Sequence, residues 1–211
     1  MELYVTLGKE GESYLEVKRS EFLGYACHVT TEKDARAFVD KIRKKHADAR
    51  HNVYAYVLSE NNIIRYSDDG EPQGTAGLPV LDILRKGGIT DAVIVVTRYF
   101  GGTLLGTGGL VHAYSGAAKE AVEDAGCITL VPYDEYRLTV SYPLYQKLPI
   151  LFKGYPIIID NTEFEAEVIV TLAIKSGHFD PLAASLKEAS AGKVGIERIG
   201  TRMDAEKLGG E

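Results

Sequence analysis

Between Val93 and Tyr114 the chain reads VIVVTRYFGGTLLGTGGLVHAY, and this stretch restricts the fold more than any other. The run Val93-Ile94-Val95-Val96 is apolar at every position and rich in β-branched residues. It reads as a strand over Asp91–Thr97 that is buried on both faces. Thr97, Arg98, Tyr99 and Phe100 end it, and five glycines follow within nine residues: Gly101, Gly102, Gly106, Gly108 and Gly109. Leu110, Ala113, Tyr114, Ala117, Ala121 and Val122 then recur at helical spacing until Gly126 stops the helix. Its small residues, Ala113, Gly116 and Ala117, allow that helix to approach a sheet closely.

Strand, glycine loop and helix is the layout of an anion-binding turn, because free N–H groups at a helix start point at negative charge. The loop is not a P-loop, since Thr107-Gly108 stands where a Lys-Ser/Thr pair belongs. Nor is it a dinucleotide fingerprint, since Val111 replaces the third glycine. Two readings stay open. In one, the glycines make a tight connection that needs positive φ and close packing. In the other, Arg98 is a bidentate donor to an anion or a phosphate backbone, and Tyr99 and Phe100 stack on a base or a protein partner or belong to the core. One guanidinium and two rings suit a recognition surface better than a hydrolytic site.

Upstream, Asp68, Asp69 and Glu71 place three carboxylates in four residues, followed by Gln73 and Gly74. The calcium-loop spacing is absent. The alternatives are a turn-forming acidic loop, a metal site, a partner contact or a tie to Arg98. His28 ends one expected strand and His51 begins another, and both are expected at one end of the sheet. There they would form a polar site with Arg98, Asp68 and Asp69, for acid–base work or for binding. Lys41, Arg43, Lys44, Lys45 and Arg50 crowd the end of the first long helix, as a solvated face complementing the helix dipole or as an RNA contact. Cys27 and Cys127 form no CxxC pair and read as reduced, buried thiols.

The remaining segments divide the chain in two. In the first part a hairpin over Tyr14–Val17 and Phe22–Val29 precedes a helix opened by Thr31 with Asp34 as partner. Strands follow at Val53–Leu58 and Ile63–Ser67, then a helix from Thr75 to Lys86, the buried strand, the glycine-led helix, and a strand at Cys127–Val131 closed by Pro132. In the second part the order is a strand at Tyr136–Ser141, a helix over Pro143–Lys153 weakened by Pro149, and a hairpin of Ile157–Asp160 with Phe164–Ile174 about Asn161-Thr162. A helix opened by Asp180-Pro181 and a strand at Val194–Ile199 complete it. That βαββαβ order is the ferredoxin-like split unit. Along its long strand Glu163, Glu165 and Glu167 would occupy the open face and repel phosphate, so this part reads as a docking or stabilising module. The expected domains are 1–131 and 132–203, with a flexible tail at 204–211.

With 211 residues, 45% hydrophobic and 26% charged, the chain can bury a core and is not disordered. No apolar run reaches membrane-spanning length and the N-terminus has no signal-like core, so a soluble, cytoplasmic protein with no membrane partner is expected. The net charge of −6 is spread over both halves. Nucleic-acid binding would therefore need a local basic patch.

Tyr66–Pro79 (YSDDGEPQGTAGLP) and Val96–Tyr114 (VTRYFGGTLLGTGGLVHAY) resemble the two signatures of the IMPACT family in its bacterial YigZ-like branch. The resemblance covers residues 1–131 and extends over the C-terminal domain that bacterial members carry. It implies an α+β protein of two domains. The first would resemble the second domain of ribosomal protein S-five and the fourth domain of elongation factor G. The second would be ferredoxin-like, similar to the fifth domain of that factor. The family motifs fall on Asp68, Asp69, Gly70, Glu71 and Pro72, on Arg98, Tyr99, Phe100, Gly101 and Gly102, and on Gly106, Gly108, Gly109 and Tyr114. Two positions depart from the family pattern: His112 stands where an arginine is usual, and His51-Asn52 where a His-His pair is commoner. Eukaryotic relatives regulate translation with help from an extra N-terminal domain. The expectation is a non-enzymatic, translation-associated binding protein without a cofactor or a metal. Its partner would be ribosome, RNA or protein, met at the Arg98–Gly109 loop with His28, His51 and the Asp68–Gln73 loop. The alternative is an enzyme or phosphate-ligand binder using the same cleft.

Overall fold

The computed structural model describes residues 3–206. Residues Tyr4–Thr129 form one compact unit, and the described residues from Leu130 onward form a second. The protein is a two-domain α+β chain.

The first unit is built on a five-stranded antiparallel sheet of order β2-β3-β6-β4-β5, with β2 Gly11–Val17, β3 Ser20–His28, β4 His51–Leu58, β5 Ile63–Ser67 and β6 Ala92–Tyr99. The apolar run is the central strand β6, and alternation sends its side chains into two cores. Ile94 and Val96 pack with Phe22, Ala26, Val53 and Ala55 beneath helices α2 (Gly77–Lys86) and α3 (Gly106–Ala125). Val93 and Val95 pack with Tyr25, Tyr56 and Leu58 beneath α1 (Glu32–Lys45). Thr31 caps α1 as its sequence predicts, accepting the Asp34 N–H at 3.1 Å. The small-residue face of α3 lies so close to the sheet that a Cβ on Gly24 would overlap the Ala117 carbonyl.

Thr75 does not cap α2. Its hydroxyl donates to the Pro72 carbonyl at 2.7 Å, and the helix begins at Gly77. Strand β7 (Cys127–Val140) runs unbroken through Pro132, where the sequence places a stop, and the division between the units falls inside it. The lost N–H does not interrupt the ladder, because the Pro132 carbonyl still accepts from the Ser176 N–H.

The second unit carries β8 (Ile157–Phe164), β9 (Val168–Lys175) and β10 (Gly195–Ala205) in the order β10-β7-β9-β8, the arrangement of a ferredoxin-like βαββαβ unit. Leu138, Val140, Val168, Val170, Leu172 and Ile174 form its core with Phe179, Leu182 and Leu186 of α6 (Phe179–Ala189). The helix expected over Pro143–Lys153 is two single turns, α4 (Tyr142–Tyr145) and α5 (Leu148–Leu151), broken just before Pro149. The hairpin bends at residues 165–167 and not at Asn161-Thr162. Glu163 thus lies next to the end of β8 while Glu165 and Glu167 sit in the turn, so the three do not line one strand face. Asp204 and Ala205, expected as the start of a free tail, complete β10, and residues 207–211 lie outside the described residues. Among the described residues no helix is long and apolar enough to cross a membrane.

Candidate functional site

Strand β6 leaves the sheet at Tyr99, and its last two residues point to opposite faces. Arg98, on the α3 side, is buried: its side chain is 7% exposed. Its Nη1 donates to Oε1 of Glu71 at 2.6 Å, and the Glu71 side chain is itself 4% exposed. The Tyr114 hydroxyl of α3 donates to the same oxygen at 2.8 Å. Burial, reinforced by this carboxylate, pushes the Tyr114 phenol far above its ordinary range, so it stays a donor. Nη2 of Arg98 lies 3.5 Å from Ser20 Oγ, its guanidinium sits 5.4 Å from the Phe22 ring centre and 5.5 Å from that of Phe100, and its Nε has no partner. The guanidinium expected to meet external phosphate is thus neutralised from within. The phosphate-contact reading of Arg98 is corrected on this geometry. The reason is that Glu71, 27 residues earlier, reaches the same point through the loop that leaves β5.

The carboxylates of the acidic loop are bonded within their own chain. Asp68 caps α2: Oδ1 accepts from the N–H groups of Ala76 (3.1 Å) and Gly77 (2.8 Å), and Oδ2 from Gly74 (2.9 Å). Asp69, at positive φ, accepts from Arg43 Nη2 (3.0 Å) and from the Asn52 N–H (2.7 Å). Of the readings left open, a self-bonded turn that ties Glu71 to Arg98 is the one observed. Gln73 is exposed beside it.

His51 joins this cluster. Its Nδ1 pairs with the Asp69 carbonyl at 2.9 Å and its Nε2 lies 4.0 Å from Glu71 Oε1. His28 does not join it. In the antiparallel ladders His51 sits opposite Arg98 and His28 opposite Ala92, six positions apart along β6 or about 20 Å. The expectation that both histidines share one end is overturned, because β3 and β4 both run antiparallel to β6 and so parallel to each other, and His28 is the last residue of β3 while His51 is the first of β4. His28 instead pairs with Thr6 of β1 (Tyr4–Leu7) through Nδ1 at 2.7 Å.

Tyr99 turns to the α1 side. His46 Nδ1 lies 2.9 Å from its hydroxyl, which donates to Asp48 at 3.0 Å, and the Tyr25 hydroxyl lies 2.7 Å from His46 Nε2. It is therefore not available to stack beside Phe100. Phe100 remains 51% exposed and Leu104 is 83% exposed. The following glycine loop is open: Gly102, Gly106 and Gly108 are exposed, and α3 starts with no side-chain cap and no acidic residue in its first turn. Gly101 is pinned. Its N–H donates to Ser20 Oγ at 3.1 Å, and a Cβ there would overlap the Arg19 carbonyl.

That contact brings in two residues that the sequence reading passed over. Lys18 and Arg19 form the β2–β3 turn, both at positive φ and both exposed, with the Arg19 backbone directly against Gly101. Two cations at αL positions on a two-residue hairpin turn are the available signal, but only the fold carries them to the loop. The expected basic run on α1 is largely spent, since Lys41, Arg43 and Lys45 pair with Glu10, Asp69 and Glu12. The two thiols are free. Cys27 is half-buried and Cys127 is exposed, not buried as its sequence context predicts.

A two-domain α+β chain, with a closed Glu71–Arg98–Tyr114 network holding an open glycine loop, defines the class. The sequence matches the Impact N-terminal domain over residues 18–122 and the domain of unknown function DUF1949 over 138–193. IMPACT family member YvyE of Bacillus subtilis is 44% identical over 126 residues, 59% of this chain and 58% of that protein, so the chain spans less than two thirds of this relative. IMPACT family member YigZ of Escherichia coli is 35% identical over 187 residues, 87% of this chain and 92% of that one. A crystal structure of a hypothetical protein superposes with a TM-score of 0.61 at 33% identity, covering 94% of this chain and 98% of the other. The chain belongs to the IMPACT family.

Proposed function

We propose that this protein is a translation-associated, cytoplasmic binding protein that contacts ribosomal RNA through the loop between β6 and α3. The observation that carries the reading is the contact at Gly101: the backbone of the exposed Arg19 lies against it, next in sequence to the exposed Phe100 ring and on the loop that leads into the uncapped start of α3. Cations, an aromatic face and unengaged amides are the complement of a phosphate backbone with unstacked bases. Beneath it, Glu71, Arg98 and Tyr114 act as a rigid floor.

The site favours binding over catalysis. Asp68 is spent on a helix start, Asp69 on Arg43 and Asn52, and Glu71 on Arg98 and Tyr114. Each of the three already holds chain groups in place. The family resemblance supplies the translation context.

Co-sedimentation with purified ribosomes, and titration of a fluorescent single-stranded RNA at several salt concentrations, test this. Lys18→Ala/Arg19→Ala is expected to weaken binding and to reduce the slope of log K against log salt by about 1.4, the loss of two phosphate contacts on a single strand. Phe100→Ala is expected to weaken binding at every salt concentration, by about 1–3 kcal/mol for a lost stacking partner. RNA affinity that ignores both variants refutes the proposal, as does salt-independent capture of a protein in place of RNA.

A further inference from the structure

A second basic site lies on the α1 side of the sheet, away from the glycine loop. In the register of β4 and β5, Arg65 stands opposite Tyr56, and Tyr54 lies two residues from Tyr56, so the three share one face. The Tyr54 and Tyr56 rings are nearly parallel, 6.0 Å apart. Above them α1 contributes Arg36 and Arg43, one helical repeat of seven residues apart. These residues line a cleft of about 300 Å³ together with Asp40. That is the lower end of the range for small-ligand sites.

Three guanidiniums converge here, and each keeps N–H donors beyond the partner it already has. Arg36 gives Nη2 to Glu32 (2.9 Å), Arg43 gives Nη2 to Asp69 (3.0 Å) and lies 5.6 Å from the Tyr54 ring centre, and Arg65 gives Nη1 only to the Ile64 carbonyl (2.9 Å). Each guanidinium has five N–H donors, so most remain free to face the cleft. The acids that face these groups are Glu32, Asp40 and Asp69. Glu32 and Asp69 each hold one arginine and fix its plane, Glu32 also accepting from the Tyr56 hydroxyl at 2.9 Å, and Asp40 lines the cleft, so the charges balance and Arg65 is the arginine with no carboxylate bonded to it. Arginines held in place by carboxylates, with a tyrosine floor, suit bidentate recognition of a compact dianion.

We infer that the Arg36–Arg43–Arg65 cleft binds the terminal phosphate of a small phosphomonoester. The phosphate bridges Arg65 and Arg43, and the half-buried Tyr54 ring, backed by the buried Tyr56, lies beside the group that carries it. This site is separate from the one proposed for RNA.

Calorimetric titration of the full chain at low ionic strength tests it, with inorganic phosphate, AMP and O-phosphoserine as probes and adenosine as control. Saturable binding of the phosphate-bearing probes is expected, with adenosine silent. Equal affinities assign recognition to the phosphate alone, while tighter AMP binding assigns a share to the tyrosine floor. Arg65→Ala and Arg36→Ala are exposed changes that leave the fold intact, as thermal melting checks, and each is expected to weaken binding by roughly tenfold or more. Affinity is expected to fall below about pH 6, where the monoester loses its second charge. Phe100→Ala leaves phosphate affinity unchanged, which separates this outcome from the RNA experiment. The inference is overturned by unsaturable titrations, by affinity unchanged in both arginine variants, or by binding confined to an oligonucleotide that lacks a terminal phosphate.

Discussion

Glu71→Ala takes a carboxylate away from two buried partners at once. Arg98 would keep a charge inside a pocket where its side chain is 7% exposed, and the Tyr114 hydroxyl, fully buried, would lose its acceptor. Removing one partner of a buried ion pair costs about 3–5 kcal/mol, because the other charge stays uncompensated. The orphaned phenol adds to that, although neighbours in one network do not contribute additively. A loss of about 4 kcal/mol is therefore expected, a large share of the 5–15 kcal/mol typical of a folded domain. Urea unfolding followed by circular dichroism measures it as a lowered midpoint with the slope unchanged. The double variant Glu71→Ala/Arg98→Met removes both charges and is expected to be more stable than Glu71→Ala alone. If Glu71→Ala costs under about 1 kcal/mol, or if the double variant loses the full sum of the two single losses, the network does not hold the loop as described.

Three further outcomes follow from the same geometry. Asp68→Ala leaves the N–H groups of Gly74, Ala76 and Gly77 without their acceptor; a loss of about 1–2 kcal/mol is expected by urea unfolding, with amide exchange faster at the start of α2. Gly101→Ala drives a methyl group into the Arg19 carbonyl, and a cost of about 1–3 kcal/mol, with displaced amide resonances in both the 18–19 turn and the glycine loop, is expected by NMR. Burial lowers the pKa of His46, and the adjacent Lys45 adds to that shift, so the unfolded chain takes up a proton at higher pH than the folded one. The stability that His46 contributes is complete above its ordinary value near 6.5 and is lost as pH falls below it. A His46→Gln variant is expected to show a flatter stability profile between pH 7.5 and pH 5.5 in urea titrations, and an unchanged slope there would refute the assignment.

What could be read without the fold was local or periodic. The Thr31–Asp34 cap, the doubly buried strand at Ile94–Val96 and the small-residue face of α3 were legible because helix caps, residue alternation and helical spacing are short-range properties of the chain. The βαββαβ order of the second unit was legible for the same reason. Errors gathered where a local rule met a non-local competitor. Thr75 looked like the cap of α2 until Asp68, nine residues before the first helical residue, supplied a charged acceptor. Pro132 looked like a strand end, but the pairing partners on either side kept β7 extended.

The amino-acid sequence by itself determined the family, the two α+β units and the motif that builds the loop, because each is encoded in contiguous residues. Only the tertiary structure decided which atoms of that motif face outward. Glu71 lies 27 residues from Arg98, and antiparallel pairing sends His28 and His51 to opposite ends of β6. Charge cancellation and strand direction are properties of residues distant in the chain and adjacent in space. They turned the conspicuous arginine into an internal strut and carried an inconspicuous Lys18–Arg19 turn to the exposed surface beside Gly101.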